Sequence, residues 1–142
     1  MLRSALRTAK PTSFIRSMAS KTPKTYEFDD IKSLVQTPDA QKLLIDVREP
    51  SELQEYSMPT AINLPLKSAP GALGLSAEEF REVFDVPKPA SEKELIFFCA
   101  AGIRAKAAEE LAQSFGYENT AIYPGSIHDW LDKGGAKVKN SA

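Results

Sequence analysis

The chain has 142 residues, 42% hydrophobic, 26% charged and 8% aromatic, which leaves room for one ordinary globular domain and excludes a collagen-like, disulfide-stapled or wholly disordered chain. One cysteine, Cys99, and one histidine, His128, exclude an internal disulfide and a thiolate-based zinc cluster, so no bound metal is expected. The net charge of −1 conceals a split: six of the 18 basic residues and none of the 19 acidic ones fall in the first 26 positions, leaving a body at −7 that repels nucleic acid.

The N-terminal segment, residues 1–25, is rich in Arg, Ser and Thr, lacks acid and scatters Leu2, Leu6, Phe14, Ile15 and Met18 among its cations. That pattern is expected of a mitochondrial presequence, with a cut near residues 17–21 and an amphipathic stretch no longer than residues 1–9, because Pro11 breaks any helix. A single domain is expected over residues 26–137 and a disordered tail over 138–142. No apolar run approaches the roughly 20 residues of a membrane helix, so no span is expected.

In chain order, residues 25–28 read as a short edge strand and 29–35 as a helix with Asp29 and Asp30 in its first turn, where the helix dipole favours acid. Residues 42–47 form a strand with an apolar middle, 61–64 a further short strand, and the Pro-, Gly- and Ala-containing stretch 65–75 a surface loop. Ser76 with Glu79 predicts a capping box for a helix over 77–84, closed by Pro87 and Pro89. Residues 95–98 are the most hydrophobic strand, 105–115 a helix ending at Gly116, 120–123 a strand, and 127–133 a last helix ending at Gly134. Alternation of this kind predicts an α/β fold of three layers, a mostly parallel sheet with helices on both faces.

Sheets of this class place chemistry beyond the carboxyl ends of their strands. Cys99-Ala100-Ala101-Gly102-Ile103-Arg104 occupies such a position, after the buried strand and before the helix that follows. A loop of small residues lets successive N–H groups turn inward as an anion cradle, and that cradle with the positive helix end favours a thiolate. Arg104 adds a fixed, forked cation. Cys99 is therefore the expected nucleophile, with the loop amides of Ala100, Ala101, Gly102, Ile103 and Arg104 as the expected anion site. Asp46 and Arg48, at the end of the second strand, suit structural pairing at least as well as substrate contact. Lys106 suits a solvated helix lysine better than a source of positive potential. His128 reads as a surface or capping residue, and Trp130, Phe97, Phe98, Phe115 and Tyr123 as packing residues.

Three stretches carry a family resemblance over residues 26–135. They are Asp46-Val47-Arg48-Glu49-Pro50, followed by Glu52, Tyr56, Met58-Pro59 and Ala61-Ile62-Asn63-Leu64-Pro65; the Cys-x-x-Gly-x-Arg loop, Cys99–Arg104; and Tyr123-Pro124-Gly125-Ser126-Ile127-His128-Asp129-Trp130. Together they resemble the rhodanese family of single-domain sulfurtransferases; the Ser68-Ala69-Pro70-Gly71-Ala72 loop and the Tyr123-Pro124-Gly125-Ser126 ending resemble the small fungal mitochondrial members. Two departures bear on local packing: Ser57-Met58-Pro59-Thr60-Ala61 stands where the family usually has His-Ile-Pro-Gly-Ala, and Ser126 replaces a frequent second glycine.

The resemblance implies that Cys99 takes the outer sulfur of thiosulfate as a persulfide, releases sulfite and passes the sulfur to cyanide or a thiol such as glutathione, dihydrolipoate or thioredoxin. This is ping-pong chemistry that requires no cofactor. Arg104 is then expected to hold the sulfonate, and a mitochondrial matrix location fits. Two alternatives stay open: a persulfide carrier serving a protein partner, and a cysteine-dependent phosphatase or arsenate reductase. The related phosphatases use Cys-x5-Arg, whereas this loop is Cys-x4-Arg.

Overall fold

The computed structural model describes residues 22–140. The presequence expected over 1–25, its cut at 17–21 and its short helix therefore lie outside the described residues, save for the last four positions. Two of those four form strand β1 (Lys24–Thr25), so the domain's first strand lies inside the span assigned to targeting, slightly before the edge strand expected at 25–28.

The remaining elements are helix α1 (Phe28–Gln36), β2 (Lys42–Asp46), α2 (Pro50–Leu53), β3 (Ile62–Asn63), a 3-10 turn (Ala72–Gly74), α3 (Ala77–Phe84), β4 (Glu94–Phe98), α4 (Ile103–Ser114), β5 (Thr120–Ile122), α5 (Ser126–Asp132) and a second 3-10 turn (Gly135–Lys137). The strands form one sheet in the order β1-β5-β4-β2-β3, and every pairing is parallel. Leu95 lies opposite Leu43 on one side and Thr120 on the other, which puts β4 at the centre.

Because β4 is covered on both faces, its residues Leu95–Phe98 read as an unbroken apolar run, and all five of its residues, Glu94 included, are buried. Its period of two divides the core. Leu95, Phe97 and Cys99 face one way, with Phe80 of α3 and Ala105, Ala108 and Ala112 of α4. Ile96 and Phe98 face the other, with Ile31 and Val35 of α1 and Ile127 and Trp130 of α5. The three-layer fold follows from that division.

Local chemistry starts α3 where expected, whereas α4 begins at Ile103, two residues before the expected 105, and α2 falls where no helix was expected. In α3, Glu79 N–H donates to Ser76 Oγ and Ser76 N–H to Glu79 Oε1, both at 3.1 Å, and Asp85 ends the helix in the left-handed conformation at φ 60°. Trp130 is fully buried, packs against the tilted ring of Phe28 with centroids 5.1 Å apart and donates to Tyr56 Oη at 2.9 Å.

Three expectations need correction. The stretch 65–75 is not simply a surface loop: it folds into the 3-10 turn and buries Ala72 and Leu73 against Phe97 and Ala108. Phe115 packs, with its ring edge over Gly74, but only partly, since it stays 39% exposed. Val138, assigned to the disordered tail, packs against the Trp130 side of the core.

Candidate active site

Three strand ends converge around Cys99. Val47 N–H donates to Phe98 O at 3.0 Å and Tyr123 N–H to Phe97 O at 2.9 Å, so the chain leaves β2, β4 and β5 side by side. The first turn of α5 then ties down the cysteine loop, with Ile127 N–H on Cys99 O and His128 N–H on Ala100 O, both at 3.0 Å. His128 takes part only through its backbone here, and its side chain is exposed.

Cys99 itself is 1% exposed, at the foot of a turn that rises through Ala100 and Ala101 to Gly102. Gly102 takes φ 108°, a conformation that L residues rarely adopt, and aims its N–H at Cys99 Sγ over 3.0 Å. A side chain at this position is doubly excluded, because a Cβ would also stand 2.6 Å from Pro124 O. Helix α4 begins at the next residue. Its first intrahelical bond joins Lys106 N–H to Gly102 O at 3.3 Å, so the N–H groups of Ile103, Arg104 and Ala105 precede any helical acceptor and give this end its positive potential. Ile103 projects outward at 85% exposure.

A residue absent from the expected set supports Cys99. Ser126 is fully buried and adopts φ 58°, the left-handed region that costs a non-glycine residue about 1–2 kcal/mol. Its Oγ accepts the Cys99 N–H at 3.0 Å, lies 3.9 Å from Cys99 Sγ and donates to Tyr123 O at 3.0 Å. Where the family often has a glycine, this chain keeps the glycine-like backbone and adds a hydroxyl that satisfies an otherwise orphaned buried amide.

The Asp46–Arg48 pair is structural. Arg48 Nε and Nη2 approach the Asp46 carboxylate at 2.7–3.1 Å, and Nη2 also donates to Tyr56 O at 2.8 Å. Asn63 Nδ2 bonds both Asp46 O and Arg48 O. Neither side chain is available to substrate, being 1% and 5% exposed. Together they clamp the corner that carries α2, a helix announced by Pro50 at its first turn.

From that corner Glu52 reaches the cysteine loop. Glu52 Oε1 accepts the Glu49 N–H at 2.9 Å and Arg104 Nη1 at 2.7 Å, while Oε2 accepts Arg104 Nη2 at 3.0 Å. The Arg104 hydrogen bonds hold the Glu52 carboxyl down to about 2, against the partial desolvation that raises it. Arg104 is pushed above its ordinary range, first by those same bonds and further by the charges of Glu52, Cys99 and Asp46. Arg104 thus acts on Cys99 through its charge, with one edge of its guanidinium already engaged by Glu52. Lys106 is 69% exposed and 3.9 Å from Glu110, which fits a solvated helix lysine. Among the described residues no group of three or more His, Cys, Asp and Glu side chains is placed to hold a metal ion, and no helix is long and apolar enough to cross a membrane.

Comparison with known proteins agrees with this geometry. The family model described as "Rhodanese-like domain" matches residues 27–133. The mitochondrial thiosulfate sulfurtransferase RDL2 of Saccharomyces cerevisiae is 60% identical over 129 residues, covering 91% of this chain and 87% of the relative. A thiosulfate:glutathione sulfurtransferase of the same yeast is 46% identical, covering 81% of this chain and 83% of the relative. The crystal structure of the yeast RDL2 sulfurtransferase superposes with a TM-score of 0.83 at 62% identity, over 85% of this chain and 98% of the other. With a buried cysteine at the end of the central strand of an all-parallel sheet, the match over residues 27–133 and the 60% identical relative place this chain in the rhodanese-like domain family.

Proposed function

We infer that this protein is a thiosulfate sulfurtransferase working through a Cys99 persulfide. The observation that carries this is the Gly102 N–H aimed at Cys99 Sγ over 3.0 Å, on a loop of only four residues between Cys99 and Arg104. An amide aimed at sulfur stabilises negative charge there, both in the thiolate and in the persulfide that replaces it.

The Cys99 thiolate attacks the outer sulfur of thiosulfate. A new S–S bond forms, the old S–S bond breaks, and its electron pair leaves on sulfite. An acceptor thiolate or cyanide then attacks the outer sulfur of the persulfide, and Cys99 departs with the bonding pair as a thiolate. No electron enters from outside, so the cycle closes without a redox cofactor. The loop amides and the Arg104 edge turned away from Glu52 receive the sulfonate. The acceptor is a low-molecular-weight thiol of the glutathione type, in line with the name of the 46% identical relative, and thioredoxin is a second candidate. The basic N-terminus and the name of the 60% identical relative support mitochondrial residence, with the matrix as the compartment.

The test is intact mass of the unreduced protein lacking residues 1–20, before and after thiosulfate. Wild type gains one sulfur atom that glutathione or cyanide removes, and Cys99→Ser gains none. A wild-type protein with a free thiol and no added sulfur would refute the assignment, and loading without steady-state release would point to a carrier.

A further inference from the structure

Resting on the sulfurtransferase reading, the geometry points to Glu52 as a specificity-determining residue that limits the affinity of the Cys99 loop for anions by neutralising Arg104. A site built only to capture a dianion would leave its arginine unpaired. Here the guanidinium meets a carboxylate in a two-bond fork, 2.7 and 3.0 Å, and both side chains remain about one third exposed at the mouth of the loop.

The carboxylate has an anchor that does not involve Arg104. Its Oε1 is fixed by the Glu49 N–H, and Glu49 is itself anchored, its side chain accepting from Lys67 N–H at 3.0 Å and Ser68 Oγ at 2.7 Å. Beneath lies the buried Asp46–Arg48 clamp. Arg104 is therefore drawn to a preset negative charge, and Glu52 stays ionised throughout the neutral range.

Two of the five guanidinium N–H groups go to Glu52 and three remain. Donor geometry is thus retained while the net charge of the pair is zero. The consequence is kinetic. The reaction binds a dianion and must then release one, since sulfite leaves the same loop that thiosulfate entered. Any added positive potential holds both more tightly, so uniform binding gains substrate affinity at the expense of product release. Glu52 keeps the loop's pull on anions local, in the amides around Sγ.

The experiment compares Glu52→Gln with wild type in single-turnover persulfide loading, followed by rapid-mixing mass spectrometry over a range of thiosulfate concentrations. Removing one negative charge beside a dianion site is worth about fivefold. E52Q should therefore halve-saturate at about fivefold less thiosulfate, with sulfite inhibiting steady-state turnover at about fivefold lower concentration. Both gains should shrink toward nothing at about 0.5 M salt, where charges are screened within a few ångströms. Glu55→Gln removes the same charge from an exposed position near that corner and should leave both constants within twofold of wild type. An unchanged or weaker thiosulfate dependence in E52Q, a gain insensitive to salt, or an equal gain in E55Q would each overturn the inference. Wild-type loading in the same experiment separates this failure from failure of the sulfurtransferase reading, which predicts a persulfide whatever E52Q does.

Discussion

Ser126 offers a test in which backbone strain and hydrogen bonding pull apart. The residue is buried at φ 58° and its Oγ satisfies the Cys99 N–H at 3.0 Å. Ser126→Ala keeps the strained backbone and orphans that amide, which costs about 2 kcal/mol. Ser126→Gly also orphans the amide but relieves left-handed strain of about 1 kcal/mol, so its net loss is about 1 kcal/mol. Glycine should therefore be the better-tolerated replacement, the reverse of the usual order at a buried position. In urea unfolding the two variants should rank wild type, glycine, alanine, and thermal midpoints should fall by about 4 °C per kcal/mol for a domain of this size. Single-turnover persulfide formation should slow about tenfold in both, because the amide that fixes Cys99 has lost its anchor. An alanine variant as stable as wild type would show that the hydroxyl does not hold the nucleophile, and an alanine variant more stable than glycine would show that the backbone is not strained.

Two further outcomes follow from the same corner of the molecule. Gly102→Ala adds a Cβ 2.6 Å from Pro124 O at φ 108°; the loop should shift, costing about 2 kcal/mol in urea unfolding and at least tenfold in loading rate as the Gly102 N–H leaves Sγ. A variant with wild-type loading would mean that this amide does no chemistry. Asp46→Asn leaves Arg48, 4% exposed, as an uncompensated buried charge and should cost about 3 kcal/mol in unfolding free energy. A loss below about 1 kcal/mol would show that the clamp does not anchor the corner.

The short-range code of this chain made most of its elements and its candidate nucleophile legible. The apolar run at 95–98, the Ser76 and Glu79 spacing and the glycine after Phe115 each act within a turn of the chain, and the structure places a strand, a capped helix and a helix end there. Cys99 stood out not as a lone cysteine, which is most often a buried packing residue, but through its combination with a strand end, two Ala and a Gly, Arg104 and a helix start. A local signal for α2 existed too, in Pro50 followed by Glu52, but four residues are too few for hydrophobic periodicity to announce.

What the tertiary structure decided involves partners far apart in sequence. Arg104 and Glu52 are 52 positions apart and Ser126 and Cys99 are 27 apart. Which of them meet depends on strand order, since β2 and β5 flank β4 only once the sheet has formed. The burial of 72 and 73 and the exposure of Phe115 were hidden for the same reason: each depends on where the 65–75 stretch lies across α4. Residue types along the chain named the chemistry of an anion-binding thiol. Only packing settled that its arginine is paired, because a charge acquires its partner from the fold and not from its neighbours in sequence.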